Sequence, residues 1–210
     1  MSNAWDNDKI IRVDMSAQQV TVQEYPEQWK YLGGRSLSAR ILLEECDATC
    51  DALGPDNILV LAPGILSGTS APTSGRLSVG CKSPLTGGIK EANTGGEAGQ
   101  DLMKLGYRAI VVSGQPADMS RRWGLEISAD EIRLVAADDY RGMWNYAACE
   151  KLLANYPDSA SAISIGPAGE MMLSAASVAT TDRSRRAIVV FHNGTGAAGA
   201  AQVRHQIFQL

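Results

Sequence analysis

The sequence predicts an α+β fold, with mixed or antiparallel β-sheets and accompanying helices, on three observations. Segments of strict alternation come in adjacent pairs. Two continuous apolar runs, Ile58–Ala62 and Ala109–Val112, read as strands buried on both faces. Apolar residues at helical spacing fall between them.

The first pair is a hairpin. Ile11, Val13 and Met15 alternate with Arg12 and Asp14, and after a polar break Val20 and Val22 alternate with Thr21 and Gln23. This pattern predicts one buried face. Next, Leu37, Ile41, Leu42 and Cys46 recur at helical spacing with Glu44 and Glu45 outward, and Ser36 stands where a cap belongs. The run at 58–62 stops at Pro63-Gly64, and the run at 109–112 stops at Ser113-Gly114. Gly99 to Leu105 reads as a helix start. A second hairpin follows: Trp123, Leu125 and Ile127 alternate, Ala129-Asp130 turns, and Ile132 and Leu134 alternate. The two hairpins suggest a crude internal repeat. Trp144, Ala148 and Leu152 mark a helix near 142–155, and Ala160 to Ile165 reads as a further strand. No low-complexity linker divides the chain, so residues 1–210 are read as one domain.

The bulk numbers narrow the function. The chain has 210 residues, 45% hydrophobic and 20% charged, which suits a folded domain with a real core. Its net charge of −4 argues against a nucleic-acid groove. No apolar run approaches the ~20 residues of a membrane span. The polar start, Met1-Ser-Asn-Ala-Trp5, does not read as a signal peptide, so a cytoplasmic location is expected. Four cysteines, Cys46, Cys50, Cys81 and Cys149, read as small core residues in a reducing compartment. Cys46 and Cys50 would share a helix face, but two thiols do not complete a zinc or iron–sulfur site.

Chemistry concentrates in the middle. Ten of the 21 glycines fall between Gly64 and Gly106. Glycine lets backbone approach a ligand and present N–H groups, which suits a phosphate-bearing anion. Arg76 is a single cation among small residues there, able to fork onto a phosphate or a ring carbonyl. Tight turns between short strands, with a solvated Arg76, explain the same spacing.

Several other segments imitate sites. Gly194-Thr-Gly-Ala-Ala-Gly199 is a literal G-x-G-x-x-G after the apolar run Ala187–Phe191. The acidic residue a dinucleotide site requires ~20 residues later has no place before Leu210. Arg183-Ser-Arg-Arg186 is either a solvated turn or a phosphate contact. His192 and His205, the only histidines, read as structural. Gly68-Thr-Ser70 lacks the second glycine of a nucleophile elbow. Asp138-Asp139-Tyr140 reads as a surface acidic turn.

The order of segments resembles the aldehyde ferredoxin oxidoreductase family's first domain from end to end. Trp5 precedes Lys9-Ile-Ile-Arg-Val-Asp14. Leu32-Gly-Gly-Arg35 runs into Ala39-Arg-Ile-Leu-Leu-Glu-Glu45, and then comes Leu53-Gly-Pro-Asp-Asn-Ile-Leu-Val-Leu-Ala-Pro-Gly64. Ser67-Gly-Thr-Ser-Ala-Pro-Thr-Ser-Gly-Arg76 leads to Lys82-Ser-Pro-Leu-Thr-Gly-Gly88. Asn93-Thr-Gly-Gly96 precedes Leu105-Gly-Tyr-Arg-Ala-Ile-Val-Val-Ser-Gly114, and Ile165-Gly-Pro-Ala-Gly-Glu170 follows.

The resemblance implies a pterin-platform domain beneath a tungsten (or molybdenum) bis-pterin. Arg76 would sit between pterin and a 4Fe-4S cluster. Asn93 would help hold a magnesium ion bridging the pterin phosphates. Thr94, Gly95 and Gly96 would form the tight turn, and Arg186 with Ala187 match a second segment. The whole enzyme would oxidise an aldehyde to a carboxylic acid and pass electrons through the cluster to ferredoxin. The family's Cys-x-x-Cys-x-x-x-Cys group is absent from this chain, so the catalytic and iron–sulfur domains are expected in a longer chain or a partner subunit. The chain alone is expected to be inactive. Where the family places aromatics after Gly-Gly, this chain has Glu97-Ala98. That departure leaves a non-catalytic scaffold or partner-docking subunit as the alternative. A glycine-rich, partly apolar face left bare is expected to pair two copies.

Overall fold

The computed structural model describes residues 8–156, 161–174, 176–182, 184, 187–189 and 206–209. Two six-stranded sheets lie face to face. In the first, β1 (Lys9–Asp14), β2 (Gln19–Glu24), β3 (Leu59–Pro63), β4 (Leu77–Lys82), β5 (Ile89–Thr94) and β6 (Tyr107–Ser113) take the order β2-β1-β6-β3-β4-β5. In the second, β7 (Trp123–Ile127), β8 (Ile132–Ala136), β9 (Ala162–Ile165), β10 (Val178–Thr181), β11 (Ala187–Val189) and β12 (Gln206–Gln209) take the order β11-β10-β9-β12-β7-β8. Every pairing is antiparallel except β1 with β6 and β7 with β12.

The two sheets have one topology. Each begins with a hairpin at one edge, continues to three strands that reach the other edge, and closes with a last strand inserted parallel to the hairpin's first. The helix α1 (Arg35–Glu45) follows the first hairpin, and α3 (Asn145–Asn155) follows the second. The repeat suggested by the hairpins therefore spans both halves, 9–113 and 123–209. The short α2 (Ala98–Lys104) lies between β5 and β6, and α4 (Pro167–Glu170) follows β9.

The core lies between the sheets. Ile11, Val13, Leu59, Leu61, Val79, Ile110 and Val112 of the first meet Leu125, Ile127, Ile163, Ile165 and Val178 of the second, with Ala98 and Leu102 of α2 beside them. The other face of the first sheet, through Ile10, Val60, Ala62, Ala109 and Val111, packs on Leu37, Ile41 and Leu42 of α1. The layers run helix, sheet, sheet, helix. At roughly 1.5–3 kcal/mol for each fully buried aliphatic side chain, this shared core is the main stabilising term.

Three local expectations change. β1 is buried on both faces, not one, because the second sheet covers the side carrying Ile11 and Val13 and α1 covers the side carrying Ile10. The cap of α1 is Gly34, not Ser36: its φ of 54° turns the chain into the helix, and its N–H donates to Pro63 O at 2.7 Å. The Ser36 hydroxyl instead donates to Gly33 O at 2.9 Å. Trp144 precedes α3 and is 76% exposed, while Ala148, Cys149 and Leu152 supply the buried face. The glycine-rich middle does hold short strands between its turns, β4 and β5.

Asp138, in the acidic turn, fastens the start of β7. Its carboxylate accepts from Arg122 N–H at 2.8 Å and from Arg121 Nε at 2.7 Å. The backbone bond from Arg122, followed by the bond and charge of Arg121, holds its pKa below the ordinary 3.8. A depressed carboxylate contributes stability that is complete above 3.8 and is lost as pH falls through the lowered value. Acid unfolding of Asp138→Asn should therefore show a shallower dependence on pH below about 4 than the parent, read as urea midpoints across that window.

Candidate functional site

One open cavity of about 700 Å³ lies at the join of the two halves. Its wall comprises 69–73, 75–76, 95–97, Gln100, Asp182 and Ser184. The wall is assembled from four places. The loop after β3 brings 69–73 and 75–76, the turn between β5 and α2 brings Gly95 to Glu97, α2 brings Gln100, and the chain after β10 brings Asp182 and Ser184.

The loop is held on α2 by Gln100. Gly68 N–H donates to Gln100 Oε1, and a side chain at Gly75 would meet Gln100 Nε2 at 2.5 Å. Ser67 Oγ donates to Ser74 O at 3.0 Å, which closes the loop on itself. Arg76 lies exposed at its end, immediately before β4, with its carbonyl accepting from Gly64 N–H at 2.8 Å. Arg76 thus lines the cavity from a backbone that is fixed.

The Thr94–Glu97 turn touches the second half directly. Glu97 N–H donates to Thr181 O at 3.1 Å, Thr180 Oγ1 donates to Gly95 O at 3.3 Å, and the Thr94 and Thr180 hydroxyls stand 3.4 Å apart. Gly96 has a φ of 98°, and a side chain there would meet Thr181 O at 2.5 Å. Gly96 is therefore required by the join to β10. Gly95 differs, because a methyl there meets nothing within 4 Å and would project into open space.

The structure brings Arg76, Gly95 and Gly96 together on one cavity. Thr94 is buried beneath it, its hydroxyl donating to Gly95 O at 3.0 Å. Asn93 is half-buried, opposite Ser78 on β4, with its Nδ2 donating to Glu91 Oε1 at 3.3 Å. It is not in the wall. Ala187 opens β11, paired with Thr181. Arg186 lies outside the described residues, as do Trp5, Gly194–Gly199, His192 and His205. Sequence reasoning missed Gln100 and Asp182. Gln100 carries no signal beyond its place on α2, and Asp182 reaches the cavity only through the register of β10.

Glu97 and Asp182 set two carboxylates in the same wall as Arg76. Among the described residues no group of three or more His, Cys, Asp or Glu gathers to hold a metal ion. No described helix is long and apolar enough to cross a membrane.

Comparison with known proteins identifies the family and the fold. The family described as aldehyde ferredoxin oxidoreductase, N-terminal domain, matches residues 10–207. The tungsten-containing aldehyde ferredoxin oxidoreductase of Pyrococcus furiosus is 38% identical over 187 residues, covering 81% of this chain and 28% of that protein. The enzyme of the same description from Thermococcus kodakarensis is 36% identical over 212 residues, covering 93% of this chain and 31% of that protein. Among solved structures, the active-site complex BamBC of benzoyl coenzyme A reductase, in complex with 1,5-dienoyl-CoA, superposes with a TM-score of 0.88. That match has 23% identity and covers 100% of this chain and 31% of its own, so it speaks to the fold alone. The chain thus spans less than a third of the length of these relatives. With the family match running almost from end to end, the chain belongs to the aldehyde ferredoxin oxidoreductase N-terminal domain family.

Proposed function

We propose that this domain is the pterin-binding platform of a tungsten- (or molybdenum-) dependent oxidoreductase of the aldehyde ferredoxin oxidoreductase type. The observation that carries this reading is the convergence of Arg76 and Gly95 on one open cavity: a cation on a fixed loop faces a backbone with no side chain in the way. That pairing suits a bulky, phosphorylated, planar ligand. When bound, the metal–pterin supplies the two-electron oxidation of an aldehyde to a carboxylic acid.

The chain's own residues bind and orient. Arg76 offers a forked donor to a phosphate or ring carbonyl. The turn at Gly95 and Gly96 admits the ligand edge against backbone. Asn93 stands outside the cavity wall, and with Nδ2 engaged by Glu91 it would have Oδ1 to offer a magnesium ion at the margin of the site. Arg186 and Ala187 would serve as further cofactor contacts. The remaining domains, or a partner subunit, would bring the 4Fe-4S cluster, the acid–base residues and the surface for ferredoxin. On this reading residues 1–210 form the platform alone, without activity of their own, and the enzyme works in the cytoplasm. The bare cavity face of an isolated chain would pair two copies.

Glu97 and Asp182 favour a second reading, a scaffold or docking subunit that holds no cofactor, because a carboxylate repels a phosphate. Metal content separates the two. Produced together with the sequence that completes the enzyme, the wild type should carry stoichiometric tungsten or molybdenum by mass spectrometry. Arg76→Ala should retain about ten- to a hundredfold less after gel filtration, the consequence of losing a charged hydrogen bond of ~1.5–3 kcal/mol. Equal metal in both would remove Arg76 from the site, and no metal in either would establish the scaffold.

A further inference from the structure

Two cysteines lie outside everything assigned so far. α1 ends at Glu45, and Cys46 follows with its backbone already extended. The chain then turns sharply. The Asp47 carboxylate accepts from the N–H and the hydroxyl of Thr49, each at 2.7 Å, and Cys50 N–H donates to Asp47 O at 3.1 Å. This turn brings Cys50 back toward Cys46, and the two Sγ atoms stand 3.8 Å apart.

The turn is fixed from outside the thiols. Lys82, at the far end of β4 from Arg76, donates through Nζ to Ala48 O at 2.6 Å and to Cys50 O. The fully buried Asn57 ties the following loop to β4. Its Nδ2 donates to Ala52 O and Lys82 O, and its Oδ1 accepts from Lys82 N–H and Ile58 N–H. The sulfurs are therefore held in proximity by a lysine, an asparagine and an Asx turn. An S–H···S contact alone is too weak to do so.

We propose that Cys46 and Cys50 form a reversible intramolecular disulfide, making this loop a site of redox modification at the end of the first sheet remote from the cavity. A disulfide requires an S–S separation of about 2.05 Å, and the present gap lies within the reach of side-chain rotation. Both residues are half-exposed, so a small oxidant can reach them, whereas Cys81 and Cys149 are buried. With a low-molecular-weight disulfide the chemistry balances in two exchanges. One cysteine thiolate attacks a sulfur of the oxidant, forming a mixed disulfide and releasing one small thiol. The second cysteine displaces the other small thiol and leaves the Cys46–Cys50 bond. Two electrons pass to the oxidant, and the two protons leave on the released thiols. Burial, then the Cys46 thiol beside it, pushes the Cys50 pKa up to about 11. Thiolate at Cys50 is thus scarce at neutral pH, which slows the exchange and makes it faster at mildly alkaline pH.

The test uses the whole chain and oxidised glutathione at mildly alkaline pH, followed by alkylation under denaturing conditions and peptide mapping. The peptide bearing Cys46 and Cys50 should be lighter by two hydrogens, without alkyl group or glutathione, while Cys81 and Cys149 are alkylated. Dithiothreitol should restore both thiols. In Cys50→Ser, Cys46 should retain glutathione, because the resolving thiol is gone. The proposal is overturned if the wild type keeps glutathione on either cysteine, links chain to chain, or leaves both open to alkylation.

Discussion

Gly96→Ala should destabilise the domain by ~3 kcal/mol or more, whereas Gly95→Ala, one residue away, should leave stability unchanged or raise it by about 0.5 kcal/mol. The difference has a single cause. At Gly96 the backbone is left-handed, with φ of 98°, and an added Cβ falls 2.5 Å from Thr181 O. A strained conformation and an overlap with backbone then act together, and the nearest atom, Thr181 O, is backbone that cannot rotate aside. The Glu97–Thr181 hydrogen bond, which joins the two halves beside the cavity, should fail with it. At Gly95 nothing lies within 4 Å of the new methyl, and φ is not in the left-handed region. Urea midpoints of the two variants check the stability arm. Metal content checks the other: the Gly95→Ala methyl intrudes on the cavity and should lower tungsten retention in a fully folded protein. Two variants of equal stability would show that the turn relaxes away from β10.

Removal of residues 206–210 should abolish cooperative unfolding. β12 is the fourth strand of six in the second sheet, between β9 and β7. Without it the sheet separates into β11-β10-β9 and β7-β8, and two strand edges that were paired become open. Leu125, Ile127, Ile163 and Ile165 lie on those separated pieces and form one side of the shared core. The loss therefore reaches the first sheet as well, and it is comparable with the ~5–15 kcal/mol that holds a domain of this size together. Near-UV circular dichroism and amide exchange on β7 and β9 measure it. A truncated chain with native exchange protection would mean that β7 and β9 close the gap directly.

How much of this was legible depended on where hydrophobic period and packing agreed. β3 and β6 showed as continuous apolar runs because both faces of the first sheet are covered, and β7 with β8 showed as clean alternation. β4 did not show. Its face toward α1 carries Ser78 and Gly80, since α1 lies so close that Ser38 Oγ is 3.2 Å from Ser78 Oγ and a side chain at Gly80 would meet Ser38 Cβ at 2.9 Å. Small residues demanded by close approach erase the apolar signal. They then read as turn residues.

The site divides the same way. Arg76 and the Gly95-Gly96 pair were legible from composition and from the family resemblance. The reason for Gly96 was not, because its constraint comes from Thr181, 85 residues further on and brought there by the register of β10. Cys46 and Cys50 were expected to share a helix face and to be core residues. The helix ends at Glu45 instead, and a turn leaves both half-exposed.

The repeated topology also fixes the order in which the molecule can be made. In each half, the strand that joins the edge hairpin to the other three is the last to leave the ribosome: β6 at residues 107–113 and β12 at residues 206–209. A hairpin and a three-stranded meander can form early, but they wait unjoined until that strand arrives. The long loop closures this requires make folding slow for a chain of this length. The first half can complete its sheet while the second is still being translated, and its core face stays exposed until β7, β9 and β10 cover it. That interval is when the nascent chain is most vulnerable to aggregation.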